Sequence, residues 1–181
     1  MRPRHLPRLW LMTDERLGEA LWTALAALPR GSGVVFRHYA TEPGKRRRMF
    51  AKVARIARSR RLVLVRAGAD VMRDEVGTHN RTPRTRGLKT RAVHTQADWV
   101  ASGRPPADLV FVSPVFATRS HPAARPLGVV RLGLLIRGLR ARGVPVVALG
   151  GMTAARFRRL RGLGVHGWAA IDAWGATGPQ A

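Results

Sequence analysis

At 181 residues with 45% apolar side chains, the chain suits one domain with a real core. It has no cysteine, which excludes a disulfide scaffold and thiolate metal sites and fits a reducing cytosol. A net charge of +23 invites a polyanion, but the cations are nearly all arginine and spread over every helical stretch; without a nucleic-acid-binding motif or interleaved aromatics, nucleic acid is not an expected partner.

The first β-rich run, Arg8 to Met12, leads into Thr13 and Asp14. It is too short for a signal segment, and no apolar run approaches the ~20 residues that cross a bilayer, so a soluble cytoplasmic protein is expected, with no membrane partner. A helical pattern follows from Glu15 to Leu28, then a strand from Val34 to Arg37 and a helix from Lys45 to Ser59. Leu62 to Val65, Glu75 to Thr78 and Arg91 to His94 read as strands, with a helix from Gln96 to Ser102. The strand Leu109 to Val112 precedes a helix from Val129 to Arg142. The strand Val144 to Leu149 precedes a helix from Thr153 to Leu163, and Gly167 to Ile171 is the last strand. Pro145 has no amide to donate, so it belongs at the very start of its strand.

Eight strands alternating with helical patterns predict an α/β fold, a parallel (β/α)8 barrel in a single domain with its core at about 8–174. Helices are reduced or missing after strands three, four and eight. Only Arg66 to Asp74 separates strands three and four; Asn80 to Thr90 carries Pro83 and Gly87, and ten Gly- and Pro-rich residues end the chain. Gaps in a helical ring expose apolar strand surface, which leaves room for a homo-oligomer.

In such a barrel the chemistry belongs at the C-terminal ends of the strands. The groups there are Thr13 and Asp14, Arg37 to Tyr39, Arg66, His79 and Asn80, His94, Ser113 to His121, Gly150 and Gly151, and Asp172. Arg37 supplies a planar charged fork, and Thr118 and Ser120 supply hydroxyl and amide donors in one loop. Gly150 and Gly151 let backbone approach an anion just ahead of a helix. His121 could donate to a phosphate or act as a general acid near neutral pH, or be a solvated loop imidazole; His94 could be structural or catalytic. Equally, a double glycine can be a plain tight turn, and Thr118 and Ser120 can bond within their own loop.

The runs Leu109 to Pro122 and Val144 to Met152 together resemble the "GPVFxTxTK … PVxAIGGI" wording of the thiamine phosphate synthase and thiazole tautomerase superfamily, whose fold is a (β/α)8 barrel. Leu9 to Asp14 looks like that family's first strand "LYLVTD", and Arg37 falls on the Arg of its "QLREK". The resemblance implies a transferase of thiamine biosynthesis that joins hydroxymethylpyrimidine diphosphate to thiazole phosphate and releases pyrophosphate. It also implies that Arg37, Thr118, Ser120 and His121 hold the diphosphate, that Gly150 and Gly151 hold the thiazole phosphate, and that His94 and Asp172 border the substrates. Arg37 and His121 are the implied catalytic pair.

The departures from the family are specific. Its magnesium ligands, an Asn-Asp pair after strand three and an Asp in "HxGQxD" after strand four, fall where this chain has Leu64 to Ala67 and Gly77 to Thr82. Magnesium wants carboxylate oxygens, so no metal ligands are assigned; Arg66 or Arg81 could neutralise a diphosphate instead. The family's Ser after strand eight is Asp172, a carboxylate that must pair with an Arg or face a different ligand. Tautomerases carry a His where this chain has Ser113. The alternative to the synthase is a divergent paralogue binding another phosphorylated ligand, with or without catalysis, and after it a basic nucleic-acid-associated protein.

Overall fold

The computed structural model describes residues 5–80, 87–95, 97–98, 107–118 and 123–174. Eight parallel strands close into a barrel in chain order: β1 (Leu9–Met12), β2 (Gly33–Phe36), β3 (Val63–Ala67), β4 (Gly77–His79), β5 (Leu88–Val93), β6 (Leu109–Val112), β7 (Val146–Leu149) and β8 (Gly167–Ala170). β8 closes on β1 with Leu9 opposite Trp168 and Leu11 opposite Ala170. Pro145 lies one residue ahead of β7, where its carbonyl accepts from Val110 N at 3.0 Å. The missing amide therefore costs the ladder nothing.

Strand alternation sorts the apolar residues into two layers. Trp10, Met12, Val35, Val65, Leu88, Leu109, Phe111, Val147 and Ala169 fill the interior. Their neighbours Leu11, Val34, Leu64, Val110, Ala148 and Trp168 face outward against the helices. Trp10 needs room: a Cβ on Gly33 would sit inside its indole, which packs edge-on against Phe111 at 5.2 Å.

Local chemistry explains the helix boundaries. Helix α1 (Ala20–Ala27) is preceded by a 3-10 turn, Glu15–Leu17, that Asp14 caps. The expected single helix from Glu15 is broken at Gly18, which takes φ 47°. Helix α2 (Pro43–Ser59) begins with Pro43, and the Glu42 carboxylate accepts from the amides of Gly44 and Lys45. Helix α3 (Gly128–Arg140) covers the β6–β7 side. Helix α4 (Ala154–Leu160) is capped by Thr153 and runs into a 3-10 turn, Arg161–Leu163, that Gly164 ends.

Residues 68–76, between β3 and β4, hold no helix. Residues 81–86 and 175–181, the other two expected gaps, and most of the Gln96 to Ser102 helix lie outside the described residues. β5 begins at Leu88, three residues before its expected start, because Gly87 at φ 94° turns the chain and Leu88 pairs with Gly77.

Candidate functional site

All eight strands point the same way, so their C-terminal ends share one mouth. On its β1–β2 side, Arg37 lies two residues beyond interior Val35. Its guanidinium donates to Thr13 O at 2.9 Å and to Asp14 Oδ2 at 3.0 Å, and its amide donates to Thr13 Oγ1 at 3.0 Å. The Arg16 side chain holds Asp14 below the usual carboxylate range, with Arg37 adding to the effect. The hydrogen bond to Asp14 raises the Arg16 pKa and the nearby Asp172 adds to that rise, so the carboxylate after β8 lies within electrostatic reach of a cation.

Below Arg37 is His79, the last residue of β4, only 5% exposed. Its Nδ1 pairs with Thr90 Oγ1 at 2.9 Å and its ring meets Phe111 edge-on at 5.5 Å. Burial, with the Arg37 charge behind it, pushes its pKa down to about 3 and keeps the imidazole neutral. His38 is also buried and shares Thr13 Oγ1 at 2.9 Å, with a lowered pKa for the same first reason.

On the β6–β7 side the two turns are joined by backbone. Val115 N donates to Leu149 O at 2.9 Å and Phe116 N to Gly150 O at 3.1 Å. Gly150 and Gly151 take φ 92° and 60°. A Cβ on Gly150 would lie 2.7 Å from Pro114 Cα, and one on Gly151 would run into the Ala117 carbonyl. Only glycine fits this pair, and the reason is packing against the β6 turn. Arg156 reaches back from α4 to the Gly151 carbonyl and lies over the Phe116 ring. Thr118 is half-buried at the end of this turn; Ser120 and His121 lie outside the described residues. His94, exposed after β5, sits beside the same turn with Nδ1 2.8 Å from Ser113 O.

Arg66 does not stand at the mouth as a free cation. It shares the outward parity of Leu64, is 1% exposed, and is ion-paired with Glu75 while donating to Gly68 O at 2.6 Å. Missing a helix, the β3–β4 connection seals that side of the barrel with a buried ion pair, so the expected exchange of Arg66 for a metal ion is corrected. Arg81 lies outside the described residues. Asp70, the carboxylate after β3, is held by Arg46 at 2.9 Å. Among the described residues, no group of three or more His, Cys, Asp or Glu gathers as a metal site, and no helix is long and apolar enough to cross a membrane. The residues at the end of β3 do not fit a magnesium ion.

Two residues of the mouth lie outside the set that the resemblance implies. In the sequence His79 is marked only by its place at a strand end. Arg46, hidden in a run of cations, is 4% exposed and donates to His38 O at 2.9 Å and Ala67 O at 2.6 Å, tying the β2 and β3 loops together. Helical phase would have found it, because Arg46 shares a face with Phe50, Val53 and Ala57.

Residues 87–174 match the family model described as thiamine monophosphate synthase. A 66-residue stretch is 37% identical to the putative thiamine-phosphate synthase 2 of Aquifex aeolicus; it covers 36% of this chain and 34% of that protein, so the match spans about a third of the relative's length. Among solved structures, a thiamine phosphate pyrophosphorylase from Pyrococcus furiosus superposes with a TM-score of 0.73 at 21% identity, over 96% of this chain and 89% of that one. An HpcH/HpaI aldolase from Desulfitobacterium hafniense gives 0.58 at 11% identity, over 91% and 86%. These structural likenesses show the barrel.

Proposed function

From the match of residues 87–174 to the thiamine monophosphate synthase family model and the partial likeness to a putative thiamine-phosphate synthase, we propose that the chain is a transferase condensing hydroxymethylpyrimidine diphosphate with thiazole phosphate. In the reaction the pyrimidine C–O bond to the diphosphate breaks, pyrophosphate leaves with the bonding electrons, and the thiazole nitrogen donates its pair to the cationic methylene carbon. The main demand on the protein is to stabilise the departing anion in a site closed to water. Arg37 would meet it with Thr118, Ser120 and His121, while the Gly150–Gly151 backbone would take the thiazole phosphate; Asp172 and His94 would border the substrates.

One observation carries this reading. The turns after β6 and β7 are bonded to each other through Val115 and Phe116, and both lie within the stretch that matches the family model. The family's magnesium enters no step here, because Arg66 and Ala67 stand at its first ligand place and Arg66 is already paired. A divergent paralogue with another anionic ligand is the second reading, favoured by the absence of carboxylates from the end of β3.

Purified protein given both precursors should form thiamine phosphate and pyrophosphate, and Arg37→Gln should lower turnover at least ~100-fold. No product with wild-type protein, with magnesium or with chelator, would leave the paralogue reading standing.

A further inference from the structure

Between Leu109 and Ile171 the sequence has ten arginines, no lysine and no acidic residue, whereas all ten Asp and Glu lie outside that span. In the fold this span is β6, α3, β7, α4 and β8, one continuous sector of the barrel. Because the strands are parallel, α3 and α4 must run back from the mouth, and their C-terminal ends lie at the opposite face. Six exposed arginines gather on those ends: Arg137, Arg140, Arg142, Arg158, Arg159 and Arg161. None forms an ion pair among the described residues. Arg137 and Arg140 wall a cavity of about 460 Å³ between α3 and Leu163. A helix dipole favours cations in a last turn, but it does not account for the absence of carboxylates along the whole sector.

We propose that this face, on the far side of the barrel from the mouth, binds the phosphate backbone of nucleic acid without sequence preference. The chemistry favours that polymer. Guanidinium forks match phosphate oxygens two to one, and the cations are spread along two helix ends and their turns, as a repeating anion requires. A membrane surface fits less well, because a helix lying in a bilayer needs a broad free apolar face: Phe157 and Leu160 of α4 and Leu132, Leu135, Ile136 and Leu139 of α3 pack into the barrel, and the exposed Val129, Val130 and Leu134 lie in the first two turns of α3, away from the arginine-bearing helix end. The missing motif removes sequence-specific readout and leaves backbone contact untouched. The proposal does not depend on the transferase reading, since the two faces are at opposite ends of the strands.

The test compares two variants of equal net charge, using anisotropy with a duplex of arbitrary sequence about 30 base pairs long. One carries Arg137→Gln, Arg140→Gln, Arg158→Gln and Arg161→Gln. The other carries Lys45→Gln, Arg47→Gln, Arg48→Gln and Arg55→Gln on α2, across the barrel. Glutamine keeps helix propensity, and thermal melting of both variants confirms the fold. Wild-type binding should weaken linearly in log salt, and the first variant should lose at least ~10-fold in affinity with a slope shallower by about 3. The second should stay within about threefold of wild type with its slope within about 1. Equal losses in both variants would mean bulk attraction to a cationic protein and overturn the assignment of a face. It is overturned as well by no duplex binding at about 50 mM salt, or by binding to phosphatidylserine vesicles but not to duplex.

Discussion

The two sides of the mouth are built from different materials. Around β1, β2 and β3, the strand ends are held by charged side chains: Asp14 between Arg16 and Arg37, Asp70 on Arg46, and Glu75 on Arg66. Around β6 and β7, backbone is bonded to backbone, and two glycines are there because no Cβ fits. The family match covers the second side and not the first. A backbone-built turn constrains its residues through packing, whereas a side-chain network can exchange partners while the strands stay put.

The sharpest way to break this contrast is to put a methyl on the glycine side. Positive φ and overpacking each cost ~1–3 kcal/mol, so Gly150→Ala should lose about 4 kcal/mol in urea unfolding. A loss below ~1 kcal/mol would show that the turn is not held as rigidly as described. On the charged side, Glu75→Ala strands the buried Arg66 and should cost about 3 kcal/mol, whereas the double change Arg66→Met with Glu75→Leu should recover most of that. That recovery is the point: the network is replaceable and the glycines are not.

Histidine 79 sharpens the comparison through pH. Its folded pKa is about 3 against an ordinary 6.5, so between those values the unfolded chain binds the proton and the folded one does not. Its contribution is complete above pH 6.5 and is lost as pH falls, at ~1.4 kcal/mol per unit from about pH 6 to 4. His79→Gln should flatten that part of the stability profile; an unchanged slope would mean that other groups set it. The smallest effect is expected at the surface. Gly138, in α3 with nothing nearer its would-be Cβ than an Arg142 nitrogen at 4.0 Å, should accept alanine with a gain of ~0.5–1 kcal/mol.

Strand order, the eight-fold count and the two turns could be read in the chain because each rests on local chemistry: apolar runs bounded by turn residues, proline at a strand start, glycine where backbone must bend. Gln96 to Ser102, Ser120 and His121 lie outside the described residues, so their readings remain expectations. The pairing of Arg66 with Glu75 is not legible in the sequence, because parity does not say which face of a strand lacks its helix. The burial of Arg46 is hidden there by a run of cations that masks the one pointing inward.

What the sequence determined by itself, then, was the alternation of strand and helix, the glycine-bearing turns and the separation of acid from arginine along the chain, all matters of composition and local backbone preference. Which charges are buried, which pair, and which gather on one face depended on strand parity and on the reversal of each helix along the barrel, and those relations exist only once the sheet has closed.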